Sequence, residues 1–272
     1  MNLYKIPGWF DRSGREKNLD DAIERSGRAY FGLRELAREE KEEAVRAHFN
    51  RVAPKYDFMN TLLSLGIHYA WKRKAVRMLC LEPGHRVLDV CGGTGDLAVY
   101  SARRVGPDGD VCIYDMNRKM MEAGRIRPEN RRYSDRLQYV QGNAEALSFP
   151  DNFFDAVTVG FGIRNVTHLK RAFSEMHRVL RPGGKVMCLE FSRPVNPLFR
   201  TVYDGYSFYV MPFLGSLMAG SSRSYACLSE TIRMFATPGE LKEILEAIGF
   251  GSVSYTLLTN GIAAIHLGVK DR

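Results

Sequence analysis

Val87-Leu88-Asp89-Val90-Cys91-Gly92-Gly93-Thr94-Gly95-Asp96 is an apolar run that passes directly into a glycine-rich turn. Glycine admits positive φ and a close approach of backbone to ligand, and a helix starting behind the turn supplies free N–H groups. A strand, a glycine turn and a helix start, in that order, open a βαβ unit. Outward from this stretch, short apolar runs at residues 86–91, 110–114, 137–140, 154–159 and 185–191 read as strands. Helical spacing at residues 96–104, 118–126 and 168–180 fills the gaps, the last stopped by Pro182-Gly183-Gly184. Two more helices are predicted at residues 221–235 and 238–248. Strands at 252–258 and 262–269 then meet at Thr259-Asn260-Gly261, where Asn-Gly signals a hairpin. The expected fold class is α/β and Rossmann-like: a mostly parallel sheet closed by an antiparallel hairpin, with N-terminal helices and a helical insertion.

Residues 1–46 read as a polar, helical N-terminal extension, and 47–272 as one domain. Within it, residues 205–235 form an apolar lid or insertion. The chain has 272 residues, enough for such a domain to bury a sizeable core. Its formal charge of +8 favours anionic partners but does not choose between nucleic acid and an acidic membrane. Basic and acidic residues balance through Asn50, so the surplus belongs to the rest of the chain. Five cysteines without Cys-x-x-Cys spacing argue against a disulfide framework or zinc site, and the histidines form no ligand pattern, so no metal is assigned. The first ten residues lack the pattern of an export signal, and a reducing cytoplasm is expected. The uncharged run 205–222 is interrupted by Pro212, Gly215 and Gly220, which disfavours a membrane span.

The glycine turn reads Asp-x-Cys-x-Gly-x-Gly rather than the Gly-x-Gly-x-x-Gly of dinucleotide sites. An acidic residue on the strand before the turn is a feature of S-adenosylmethionine methyltransferases. Asp89 could orient the loop and face the cofactor's amino-acid end, with Gly93, Thr94 and Gly95 forming the loop itself. About 20 residues on, Asp115, followed by Met116, ends the second strand, where a carboxylate can accept from ribose hydroxyls. Asn143 and Ala144 follow the third strand, where an amide can meet the adenine edge, and Gly160 ends the fourth. After that fourth strand the sequence is Gly160-Phe161-Gly162-Ile163-Arg164-Asn165, not the Asp/Asn-Pro-Pro-aromatic motif of nucleic-acid amino-methyltransferases. A nucleic-acid target is therefore disfavoured. Asn196-Pro197 reads better as a helix start.

The segments Phe49-Asn50-Arg51-Val52-Ala53-Pro54-Lys55-Tyr56-Asp57-Phe58-Met59-Asn60, Leu63-Ser64-Leu65-Gly66-Ile67-His68, Phe161-Gly162-Ile163-Arg164-Asn165-Val166, Leu189-Glu190-Phe191-Ser192 and Glu230-Thr231-Ile232 resemble the UbiE/MenG family of ubiquinone and menaquinone C-methyltransferases. The likeness runs over residues 47–268. It implies the class I S-adenosylmethionine methyltransferase fold, S-adenosylmethionine as cofactor, and methyl transfer to a ring carbon of a polyprenyl quinol. It also implies cofactor contacts at Thr94, Asp115, Asn143 and Ala144. Gly160 stands where the family often has serine. A neutral ring carbon attacks a sulfonium methyl slowly, so the site needs a base and a cation near the developing phenolate. The resemblance suggests that Arg164, with a water, helps deprotonate the substrate beside Tyr56 and Asn165. Chemistry alone also offers Asp57 and His68 as bases. The aromatic and methionine run around Phe213 and Leu214 reads as core or as a cover for the prenyl tail. Other readings are a sterol or phospholipid acceptor, and a non-catalytic cofactor-binding scaffold. Peripheral contact with the inner face of the cell membrane, and a homodimer or quinone-biosynthesis complex, are the partners envisaged.

Overall fold

The computed structural model describes residues 8–17, 19–219 and 222–271, so the reading of the first residues and positions 220 and 221 of the insertion lie largely outside it. Among these residues, helices α1 (Arg12–Glu16) and α2 (Asp20–Ser26) precede a small hairpin, β1 (Arg28–Phe31) and β2 (Arg34–Ala37). Next come α3 (Arg38–Val52), α4 (Tyr56–Ser64) and α5 (Ile67–Met78). The main sheet and its crossovers follow as β3 (Arg86–Val90), α6 (Asp96–Val105), β4 (Asp110–Asp115), α7 (Arg118–Arg125), α8 (Pro128–Arg131), β5 (Leu137–Gln141), β6 (Phe154–Gly160), α9 (Leu169–Val179) and β7 (Leu180–Phe191). Helices α10 (Pro197–Gly205), α11 (Met211–Ala219), α12 (Ser222–Met234) and α13 (Pro238–Ile248) lead to strands β8 (Phe250–Leu258) and β9 (Ala263–Lys270).

Seven strands run in the order β5-β4-β3-β6-β7-β9-β8, the first five mutually parallel and β9 antiparallel to both its neighbours. Strand side chains alternate between two cores. Leu88, Val90, Tyr114, Val157 and Val159 pack on α9 and α13, while Val87, Ile113, Ala156 and Leu189 pack on α5 and α6. Burial on both faces explains why these strands read as continuous apolar runs. Strand order reverses between β3 and β6, so the crevice for a ligand lies beyond their carboxyl ends.

Local signals act as their chemistry dictates. Thr237 and Glu240 form a reciprocal capping box on α13 with Pro238 in its first turn and Gly249 left-handed at its end. Asn196 caps α10 through the Phe199 N–H. The N-terminal region differs from a purely helical lead-in: Gly32, at φ +62°, turns the chain between β1 and β2, a hairpin masked in the sequence by the surrounding charges. Helix α3 also runs through position 46, where the sequence suggested a division.

Candidate active site

Four loops at the carboxyl side of the sheet, with α3 and the start of α4, meet at one cleft, lined by Gly93, Asp115, Met116, Asn143, Ala144, Gly160, Tyr56 and Asn165 among others. Turns after β3 and β6 carry Cys91 and Phe161 in the left-handed region, at φ +53° and +56°. They pack so closely that a Cβ at Gly162 would lie 2.5 Å from the Cβ of Cys91. Asp115 accepts from the Gly93 N–H at 2.9 Å and from the Asn117 N–H at 2.7 Å, which ties the glycine loop to the end of β4. Burial raises its carboxyl to about 6 despite those two bonds. Asn143 turns its carbonyl back to the Glu145 N–H at 2.9 Å, leaving its amide nitrogen to donate elsewhere.

Asp89, Thr94 and Gly95 are buried outside the lining of the cleft. Asp89 accepts from the Thr158 hydroxyl of the neighbouring strand at 2.7 Å, its other oxygen has no protein partner, and burial raises it to about 7. Gly95, at φ +86°, caps α6 where a Cβ would meet Asn130 at 2.7 Å. Thr94 donates to Asp57 at 2.8 Å. Around that bond lies a chain of charges: Lys72 to Asp96 at 2.6 Å, Asp96 to Arg127 at 2.7 Å, and Arg127 to Asp57 at 3.3 Å. Burial alone would raise Asp96, but Lys72 and Arg127 hold it well below the usual carboxylate range. Asp57 is thus committed to a clamp between α4 and the glycine loop, with its carboxyl raised chiefly by burial.

A second cavity of about 570 Å³ adjoins the cleft, and Phe49, Tyr56, Phe161 and Asn165 line both. Its walls are mostly apolar, drawn from α4, α5 and the insertion, with Trp71, Phe191, Met211 and Leu214 among them. Arg164 lines it too. The Arg164 side chain pairs with Glu190 at 2.8 Å and with the Phe161 carbonyl, while its Nε and the Asn165 Nδ2 are buried without protein partners. Tyr56 is raised by burial, an effect that the charges of Lys72 and Arg164 only partly offset, so it keeps its proton at neutral pH. His68 bonds Ser64 through Nδ1 at 2.6 Å and is pushed down to about 4, by burial first and Lys72 second. It is an uncharged, weakly basic wall residue, which removes the reason for considering it as a base titrating near neutrality. Leu214 lines the cavity; Phe213 does not, and is 65% exposed.

The sequence model of the ubiE/COQ5 methyltransferase family matches residues 37–270. The chain belongs to this family. Curated relatives named ubiquinone/menaquinone biosynthesis C-methyltransferase UbiE include one from Pectobacterium carotovorum, 47% identical over 92% of this chain and 99% of its own. Another, from Hahella chejuensis, is 47% identical over 89% of this chain and 97% of its own. Among solved structures, an S-adenosylmethionine-dependent methyltransferase of Thermotoga maritima aligns with TM-score 0.59 at 20% identity, covering 83% of this chain and 99% of that one. The [4+2]-cyclase SpnF aligns at 0.61 and 16% identity, covering 84% and 95%, so such likeness speaks for the fold alone.

As a member of the ubiE/COQ5 family the chain is an S-adenosylmethionine-dependent methyltransferase, and the cleft fits that cofactor. Asp115 is a half-buried carboxylate at the strand end where a ribose would lie, and Asn143 keeps a free amide donor, both lining the cleft. Sequence reasoning missed Arg127, which sits in a charged stretch before Pro128 with no motif around it. It also missed Lys41, hidden among the charges of α3. Lys41 is buried, donates to the Val166 carbonyl at 2.8 Å, and is lowered by burial to about 8. Only its placement every third or fourth residue with Val45 hinted at an inward face.

Proposed function

We propose that the protein methylates a ring carbon of a polyprenyl quinol. What carries this reading is the adjoining of the cofactor cleft and a large apolar cavity through Tyr56, Phe161 and Asn165. A bound S-adenosylmethionine supplies an electrophilic methyl group and leaves as a thioether. The protein's part is to hold the quinol ring against that methyl and to favour its ionised form. Arg164 Nε and Asn165 Nδ2, both buried donors lacking protein partners, are suited to a phenolate oxygen. A guanidinium has no acceptor atom, so the hydroxyl proton passes to a water beside Arg164; the proton released from the methylated carbon then restores the hydroxyl, and one proton in all leaves to solvent. The bond from ring carbon to methyl forms with the ring's electron pair, and the sulfonium keeps the pair of the bond that breaks.

The rim of the cavity supports a lipophilic acceptor. Leu65, Ile67, Val202 and Val210 line it and are also exposed, Leu65 at 92%. An apolar mouth suits a prenyl tail entering from a bilayer surface, with Arg200 and Arg223 on the neighbouring helices to meet anionic headgroups. Among the described residues no helix is long and apolar enough to cross a membrane, and contact would be peripheral. The names of the curated relatives favour a quinol over a sterol or phospholipid. The deciding experiment supplies labelled S-adenosylmethionine with benzoquinol and naphthoquinol acceptors under anaerobic conditions and weighs the products. One added methyl on the ring of either acceptor is expected; methylation of neither would overturn the proposal.

A further inference from the structure

Glu190 is next to last on β7, one strand over from the turn that carries Arg164. Its side chain is 2% exposed and lies outside the cavity lining. The carboxylate is turned almost wholly to the arginine. Oε1 accepts from Arg164 Nη1 at 2.8 Å and from the Phe191 N–H at 2.9 Å, and Oε2 accepts from the Arg164 backbone N–H at 3.4 Å. A second tether runs from Arg164 Nη1 to the Phe161 carbonyl, and the guanidinium carbon stands 5.5 Å from the Phe191 ring centre. One corner of the guanidinium is therefore fully used by the protein, while Nε keeps an unmatched hydrogen.

Burying a charged pair is costly, and apolar side chains of similar volume are often at least as stable, so this pair is poorly explained by stability alone. A planar guanidinium on a flexible stem also needs fixing before it can aim a donor at a small oxygen. We infer that Glu190 is a positioning residue for methyl transfer: it grips Arg164 by Nη1 and thereby sets the direction of the donors that meet the quinol oxygen. It further offsets part of the arginine's charge, which keeps the field on the quinol hydroxyl below that of a lone cation. The inference rests on Arg164 binding that oxygen.

The test uses the full chain, labelled S-adenosylmethionine and a short-tailed naphthohydroquinone with one open ring position. Glu190→Gln is expected to keep cofactor affinity within about threefold while kcat falls about 30-fold or more, the size of a lost charge-assisted contact. Removing the negative charge also eases ionisation of the quinol, so the rising limb of log kcat against pH moves to lower pH. A residue that merely braces the fold would leave that limb in place. Glu190→Asp keeps the charge but not the reach, so it should lose turnover with the limb unmoved; it also serves if the amide variant does not fold. Wild-type kcat in either folded variant, or a loss in Glu190→Gln with an unshifted limb, overturns the inference. An Arg164→Lys protein separates the two levels. If it is impaired and Glu190→Gln is not, only the role of Glu190 fails; if it turns over normally, the reading of Arg164 fails first.

Discussion

Asp115 and Arg164 show how a single side chain at a strand end is given its task by what surrounds it. Asp115 is bound to two backbone N–H groups of its own chain, yet it lines the cofactor cleft with its carboxyl raised by burial. Asp115→Ala should weaken S-adenosylmethionine binding by roughly 1.5 to 3 kcal/mol, about tenfold to a hundredfold, because charge-assisted bonds to ribose and to the Gly93 loop are both lost. Titration calorimetry on the folded variant checks this, and unchanged affinity would remove Asp115 from the binding site. Arg164→Lys should cut turnover strongly with cofactor affinity nearly intact, since an ammonium cannot hold Glu190, the Phe161 carbonyl and a substrate oxygen in one plane. Single-turnover rates at saturating cofactor measure that loss; equality with wild type would refute the orienting role.

At the scale of elements, α4 and the helical insertion define the substrate side. Helix α4 reaches the glycine loop through Asp57, which meets both Thr94 and Arg127, and it begins with Tyr56 at the junction of cleft and cavity. Asp57→Asn loses the ion pair and loosens the loop, so cofactor affinity should fall by about 1 to 2 kcal/mol, roughly tenfold, although the residue is not in the cleft lining. A binding isotherm superimposable on the wild type would show that the clamp does not reach the cofactor. In the insertion, the Tyr206 hydroxyl donates to the Leu63 carbonyl at 2.6 Å and Lys55 Nζ to the Met218 carbonyl at 2.7 Å, which fastens the insertion to the α4 region. Leu214 faces the cavity and Phe213 the outside, so their substitutions should separate. Leu214→Ser is expected to impair long-tailed quinols more than short-tailed ones. Phe213→Ser should spare both in detergent and reduce association with anionic vesicles. Equal loss on every acceptor, with a lowered melting temperature, would make Leu214 an ordinary packing residue.

For the molecule as a whole, buried carboxylates set a pH dependence of stability. Asp89 is raised by burial from 3.8 to about 7. Between those values the unfolded chain has released a proton that the folded chain retains, so the stabilisation is complete below about pH 4 and is lost as pH rises through about 7. Asp115, raised to about 6, acts with the same sign. Asp89→Asn should therefore flatten, without abolishing, the fall in melting temperature between pH 5 and 8 in cofactor-free protein. Identical slopes in the two proteins would assign the effect to other groups.

The strand segments, the crossover helices and the closing hairpin were legible in the sequence because each depends on near neighbours: a continuous apolar run, a glycine turn, an Asn-Gly pair. The place of the candidate cleft was partly legible for the same reason, since Asp115 and Gly160 end strands and Asn143 follows one, and parallel pairing brings strand ends together. The β1–β2 hairpin was not, its four-residue strands being too short to establish a period among charges. Nor was the difference between Leu214 and Phe213, adjacent residues whose surroundings depend on how α11 meets α4 and α12. Charge pairing lies furthest from the sequence: Lys72, Asp96, Arg127 and Asp57 span 70 positions yet form one chain of contacts, and Arg164 meets Glu190 across 26. Sequence by itself determined which segments could be strands, helices and ligand-binding turns, because those are set by local sterics and hydrophobic period. Only the tertiary structure decided which ionisable groups are buried together, because desolvation and Coulomb attraction act through space between residues that the chain keeps far apart.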